Sequence, residues 1–233
     1  MPTVPSGGEP LLRRTAAVLV TLAALATSGC GGDGDERSAD PAGVLTADEI
    51  EEALLPIGST VAGAEVGREG LPGLADERTA DREECQPLSA LVDVEPEPVR
   101  EARVQPEIKW GAWVDVQLLT YREGDAERVL DQVGAAIDAC AGGYVDNRLR
   151  EFPVHEVAGE EAPDLGDEAL AFAVTATDSM DEEWYPFDEH TVMVRDGQQL
   201  LTFRTGSVGD DDEARALLAA VVDAQWERYA AAR

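Results

Sequence analysis

Residues 190–205, HTVMVRDGQQLLTFRT, read as an antiparallel hairpin: two runs with apolar residues at alternate positions, 190–195 and 198–205, flank Asp196-Gly197, a dipeptide favoured in two-residue type I′ turns. In that register Val192 and Val194 share a face with Leu201 and Phe203, so one side of the hairpin needs cover. A helix is placed to supply it. Asp210 to Glu213 put acids where the positive end of a helix macrodipole stabilises them, and Leu217, Leu218, Val221, Val222, Gln225 and Tyr229 mark one inward stripe. A sheet with an amphipathic helix laid against it predicts an α+β domain.

The same pattern extends upstream. Residues 169–177 alternate with Leu170, Phe172 and Val174 together, 163–167 read as a loop, and 148–157 read as another strand. The strongest helical signal is 126–141, opened by Gly124-Asp125 and stopped by Gly142 and Gly143, with Val129, Val133, Ile137 and Cys140 along one stripe. Residues 113–120 predict a half-buried strand, with Val114, Val116 and Leu118 on the inner face and Asp115 and Gln117 on the outer. A further strand opens over 102–105, after Pro96 and Pro98 break a short helix carrying Leu88, Leu91 and Val92. Nearer the start, Thr46-Ala47-Asp48-Glu49 is a capping box heading a helix with Ile50 and Leu54 on one face; Pro56 and Gly58 end it. A glycine-rich loop to Gly73 follows, with a short strand near 61–66. The expected fold is a single α+β domain over 45–233, an antiparallel sheet backed by two main helices, 126–141 and the C-terminal one.

Residues 11–30, LLRRTAAVLVTLAALATSGC, fix where this domain would live. Arg13 and Arg14 precede an apolar run over 15–26, and small residues 27–29 stand before Cys30. The run is about a dozen residues, whereas crossing a hydrocarbon core of about 30 Å takes about 20. The layout resembles a bacterial lipoprotein signal, with 1–29 as the signal peptide and Cys30 as the lipidated first residue of the mature chain. In the family pattern a leucine usually stands where this chain has Thr27. The alternative is a plain secretory signal with Cys30 as a spare thiol, and the arginine pair also leaves a twin-arginine route open. Residues 30–44, rich in Gly, Asp, Ser and Pro, read as a flexible tether. The expected location is the outer face of the cytoplasmic membrane, anchored by lipid at Cys30.

Net charge is −30, from 48 acidic and 18 basic residues, and Lys109 is the single lysine. Such a chain is repelled by duplex DNA and by anionic lipid, so nucleic acid is not an expected partner. With Cys30 set aside, Cys85 and Cys140 form an even pair, which in an oxidising compartment favours one disulfide over two free thiols or a redox pair; no C-x-x-C spacing supports exchange chemistry.

Catalytic motifs are lacking. There is no G-x-S-x-G, P-loop or H-E-x-x-H, and His155 and His190 are the two histidines. The most site-like stretch is 178–190, DSMDEEWYPFDEH, read as a loop whose Trp184, Tyr185, Phe187, Asp188 and His190 form a candidate binding surface. Its acids with His190 also permit a divalent metal, without the spacing of an EF-hand, and the plainer alternative is a solvated loop whose aromatics pack onto the sheet. No metal, cofactor or enzymatic activity is expected. The leading function is a non-enzymatic ligand-binding or sensing module whose partner is a small molecule or an envelope protein; the alternatives are a secreted hydrolase using the carboxylates or His190 of this loop and a structural envelope protein.

Five features together resemble the extracytoplasmic PknH-type sensor domain of mycobacterial serine/threonine kinases, a fold also found in free-standing actinobacterial lipoproteins. They are ECQPLSALV around Cys85, GDAERVLDQVGAAIDACAGG through Cys140, GDEALAF at 166–172, VMVRDGQQLLTFR at 192–204, and the terminal helix, over roughly 45–230. The family domain carries a second disulfide for which this chain has no cysteines. The resemblance implies a ligand-sensing or binding module with a cleft.

Overall fold

The sheet runs in the order β1-β2-β4-β5-β10-β9-β8-β7-β6-β3, every described pair antiparallel. The computed structural model describes residues 43–68, 79–90, 94–108, 112–147, 151–180, 183–207 and 211–233, with backbone alone at 151, 178–180, 183 and 184. In chain order the elements are α1 (Ala47–Ala53), β1 (Thr60–Val61), β2 (Ala64–Gly67), β3 (Thr79–Ala80), α2 (Gln86–Ser89), β4 (Arg100–Glu107), β5 (Asp115–Thr120), α3 (Asp125–Ala139), β6 (Tyr144–Asn147), β7 (Glu151–Glu160), β8 (Glu168–Met180), β9 (Glu183–Asp196), β10 (Gln199–Ser207) and α4 (Asp211–Ala232). The signal segment with Cys30, and Leu91, Val92, Lys109 and Asp210, lie outside the described residues.

Helices cover the sheet on both faces. On one, Leu119, Phe172, Val174, Met193 and Leu200 pack against Val129, Leu130, Val133 and Ala136 of α3. On the other, Val116, Leu118, Val194, Leu201 and Phe203 meet Ile50 and Ala53 of α1 and Leu217, Val221, Val222 and Tyr229 of α4. This arrangement corrects the reading of β5 as half-buried: Gln117, on the supposed outer face, is 6% exposed, and Leu119 on that same face is fully buried. A strand in mid-sheet between two helical layers has no solvent side.

The hairpin has the predicted faces with a shifted turn. Val192 and Val194 share a face with Leu201 and Phe203, as expected, but Val192 pairs with Phe203, Val194 with Leu201 and Asp196 with Gln199, so the turn residues are Gly197 and Gln198. Gly197 has φ +62, and among the described residues the only non-glycine with positive φ is Ala62, which gives the pattern of a type II′ turn with glycine first. Two further corrections concern strands. The strand expected over 148–157 is β7, which runs on to Glu160, and β6 just before it is a strand the sequence reading lacked; the expected loop at 178–190 is strand in β8 and β9, with Asp178 paired to Tyr185 and Ser179 to Trp184. Acids had suggested a loop there. Pairing in a long hairpin and the strand preference of Trp184, Tyr185 and Phe187 outweigh them.

Local devices fix the helices. The Thr46 N–H donates to Glu49 Oε2 at 2.7 Å and the Glu49 N–H to Thr46 Oγ1 at 3.3 Å, the predicted capping box; the Thr46 N–H most, and then the Thr46 hydroxyl donating to the same carboxylate, lower the Glu49 pKa. Gln225, fully buried, donates to the Ala53 carbonyl at 2.7 Å and accepts from the Leu55 N–H at 3.0 Å, so its amide joins α4 to the exit of α1 without an unpaired group. Cys85 and Cys140 are joined by a disulfide that ties the segment before α2 to the end of α3. Arg82 donates to the carbonyls of Ala139 and Gly143, each at 3.1 Å, supplying positive charge to the end of α3, whose last turn has no basic residue. Gly143 has φ +86, and a Cβ there would run into the carbonyl oxygens of Val154 and His155.

Candidate functional site

His190 sits in β9 opposite Ala173 of β8 and Thr205 of β10, and the two-residue period of the strand turns it to the α4 side with Val192 and Val194. It is 3% exposed. Nε2 lies 2.7 Å from Asp211 Oδ1 in the first turn of α4, and Nδ1 lies 3.2 Å from Glu160 Oε2 at the end of β7. Carboxylate oxygens only accept, so the ring meets both fully when both nitrogens carry hydrogen. Arg215, one turn along α4, puts Nη1 2.8 Å from Glu160 Oε1 and 3.9 Å from Asp211 Oδ2. The same atom lies 3.1 and 3.4 Å from the two ring nitrogens, which places it against the imidazole rather than along one N–H axis. Its pKa is raised, chiefly by the hydrogen bond to Glu160. Two acids and two bases thus brace α4 to the end of β7 across the middle of the sheet.

Beside this brace opens a cleft of about 620 Å³ between α4, β8, β9 and the segment following β7. Ala171, Val192, Leu218, Ala219 and Val222 give it apolar walls, and Glu160, Glu161, Asp164 and Asp223 give it carboxylates. Its volume falls within the about 300–1,000 Å³ of small-molecule sites. Among the described residues lining it there is no serine, threonine, cysteine or tyrosine, so His190 has no side-chain hydroxyl or thiol to activate there.

The other residues of the predicted binding surface do not join His190. Tyr185 and Phe187 fall on the opposite face by strand parity, and the Phe187 ring packs edge-on against Phe152 at 5.5 Å between centroids. It also closes over Gly206, where a Cβ would clash with the ring. Phe187 is therefore core packing on the α3 side. Asp188 shares the His190 face and accepts from Thr175 Oγ1 at 3.0 Å across the hairpin, and the Trp184 side chain lies outside the described residues. His155 is far from this cleft in the register, its Nε2 against Thr177 Oγ1. No group of three or more potential metal ligands occurs among the described residues, and His190 addresses its two carboxylates through different nitrogens, so the three groups do not converge on one point.

Sequence reasoning found His190 and missed its partners. The i, i+4 spacing of Asp211 and Arg215 is a legible helix pair. Nothing local marks Glu160, which lies 30 residues from His190 and meets it only when β7 and β8 pair.

No protein-family model matches the chain, and no curated protein matches it. Two structures from Mycobacterium tuberculosis are similar to it. One is LpqN, described as involved in cell envelope biogenesis, at 15% identity and a TM-score of 0.24 over 70% of this chain and 82% of that one. The other is the extracellular domain of PknH, at 12% identity and a TM-score of 0.50 over 78% of this chain and 97% of that one, a likeness of fold that agrees with the element order read from the sequence.

Proposed function

We propose that this chain is a lipid-anchored, extracytoplasmic, non-enzymatic binding module that holds a small ligand in the cleft between α4 and the β8–β9 hairpin. The observation that carries the reading is the cleft itself: apolar walls and a rim of charged groups, with a His190 brace that fixes one wall and no hydroxyl or thiol among the described lining residues. Those are properties of a preformed binding site. A hydrolase that uses His190 as its base needs a ring nitrogen free to take a proton, and both ring nitrogens already face carboxylates. The signal pattern of 1–29 and Cys30 supports export and anchoring, and no described helix is long and apolar enough to cross a membrane.

Two outcomes are expected. Ala219→Trp, at an exposed position on the α4 wall of the cleft, fills the cleft without entering the core; native mass spectrometry of protein taken from its own membranes should show a small molecule on the original chain and none on the variant. Equal loading of both would place the binding elsewhere. Cys30→Ala should move the protein from the detergent phase to the aqueous phase in detergent partitioning, and a variant that stays with the detergent would defeat the lipid anchor.

A further inference from the structure

Resting on the proposal that the cleft binds a small ligand, we infer that this ligand is an organic cation: an ammonium group carried on an apolar body. The two basic groups at the cleft are already committed. His190 lies between Glu160 and Asp211, and Arg215 is bonded to Glu160, so an anionic ligand would have to displace carboxylates to reach either. The lining carries four carboxylates against one arginine, a sum of −3 with His190 neutral and −2 with it charged. Glu161, Asp164 and Asp223 are the acids in it with no bonded partner among the described residues, and they stand around walls made by Ala171, Val192, Leu218 and Val222. Ala171, Leu218 and Val222 are nearly fully buried against the core, so this wall is fixed before any ligand arrives. Apolar walls favour the body of such a molecule and the acidic rim its charged head; the chain's overall charge of −30 adds a field of the same sign. A neutral apolar ligand leaves the rim unused, and an anion opposes it.

The test uses hexyltrimethylammonium, hexanoate and 1-hexanol against the exported domain, with amide NMR shifts at Ala171, Val192, Ala219 and Val222 as the reporter of place. Hexyltrimethylammonium should bind most tightly and shift these amides. Its affinity should fall about tenfold in the combined variant Glu161→Gln, Asp164→Asn, Asp223→Asn, which leaves walls and brace intact, and should weaken as salt shortens the Debye length to about 3 Å at 1 M. Hexanoate or hexanol shifting the same amides at equal or higher affinity overturns the cationic assignment while the binding reading stands, and so does a combined variant that holds the cation unchanged. Cleft amides that move with none of the three probes overturn both.

Discussion

Replacing Cys85 and Cys140 together with alanine should lower the free energy of unfolding by about 4 kcal/mol. The bridge closes a loop of 55 residues, and in the chain-entropy model that restriction of the unfolded chain contributes about this much. Both cysteines are fully buried, so each truncation also leaves a small void beside α3, which adds to the loss rather than offsetting it. The effect should appear in urea titration as a lower midpoint, and also as a larger slope, because the uncrosslinked chain exposes more surface when it unfolds. A loss below about 1 kcal/mol would mean that Arg82 and the packing of α2 hold the end of α3 without the bridge. Because the sulfurs are inaccessible in the folded state, reduction of the native protein should lag behind global unfolding.

The two cysteines were also the clearest long-range statement in the sequence, since an even pair in an exported chain has one pairing to make. Other parts of the fold were legible for local reasons. The capping box, the stripe on α4 and the shared face of Val192, Val194, Leu201 and Phe203 depend on helix or strand period within one or two elements. What was not legible depended on neighbours. Gln117 looks like an outward residue until β4 and β10 flank it and α3 covers that face of the sheet. Residues 178–190 look like a loop until each strand of the hairpin supplies the other's backbone partners. The same division runs through the site: His190 stood out by residue type, but the face it occupies, opposite to Phe187, follows from strand parity, and that could not be applied while the stretch was read as a loop.

His190→Leu should destabilise the protein by about 2 kcal/mol although leucine matches the volume and suits the buried position. The imidazole separates Glu160 from Asp211, and without it two carboxylates face an apolar side chain with Arg215 as their shared counter-charge. Breaking a fully buried ion pair from one side costs about 3–5 kcal/mol, and the smaller figure reflects carboxylates that keep 25% and 35% exposure and so retain part of their hydration. The loss should be local in its consequences. Asp211 is held to the sheet through His190, so hydrogen exchange should quicken at amides 215–219 of α4 while amides of α3, on the other face, keep their protection. A double-mutant cycle with Asp211→Asn separates the bond from the packing, with an expected coupling of about 1 kcal/mol. Coupling near zero, with exchange unchanged along α4, would reduce the brace to filler in the core. A measured coupling would instead show that the wall of the cleft formed by Leu218, Ala219 and Val222 is positioned by a strand histidine acting through Asp211 at the start of α4, so that ligand affinity and α4 docking should fall together in the His190 variant.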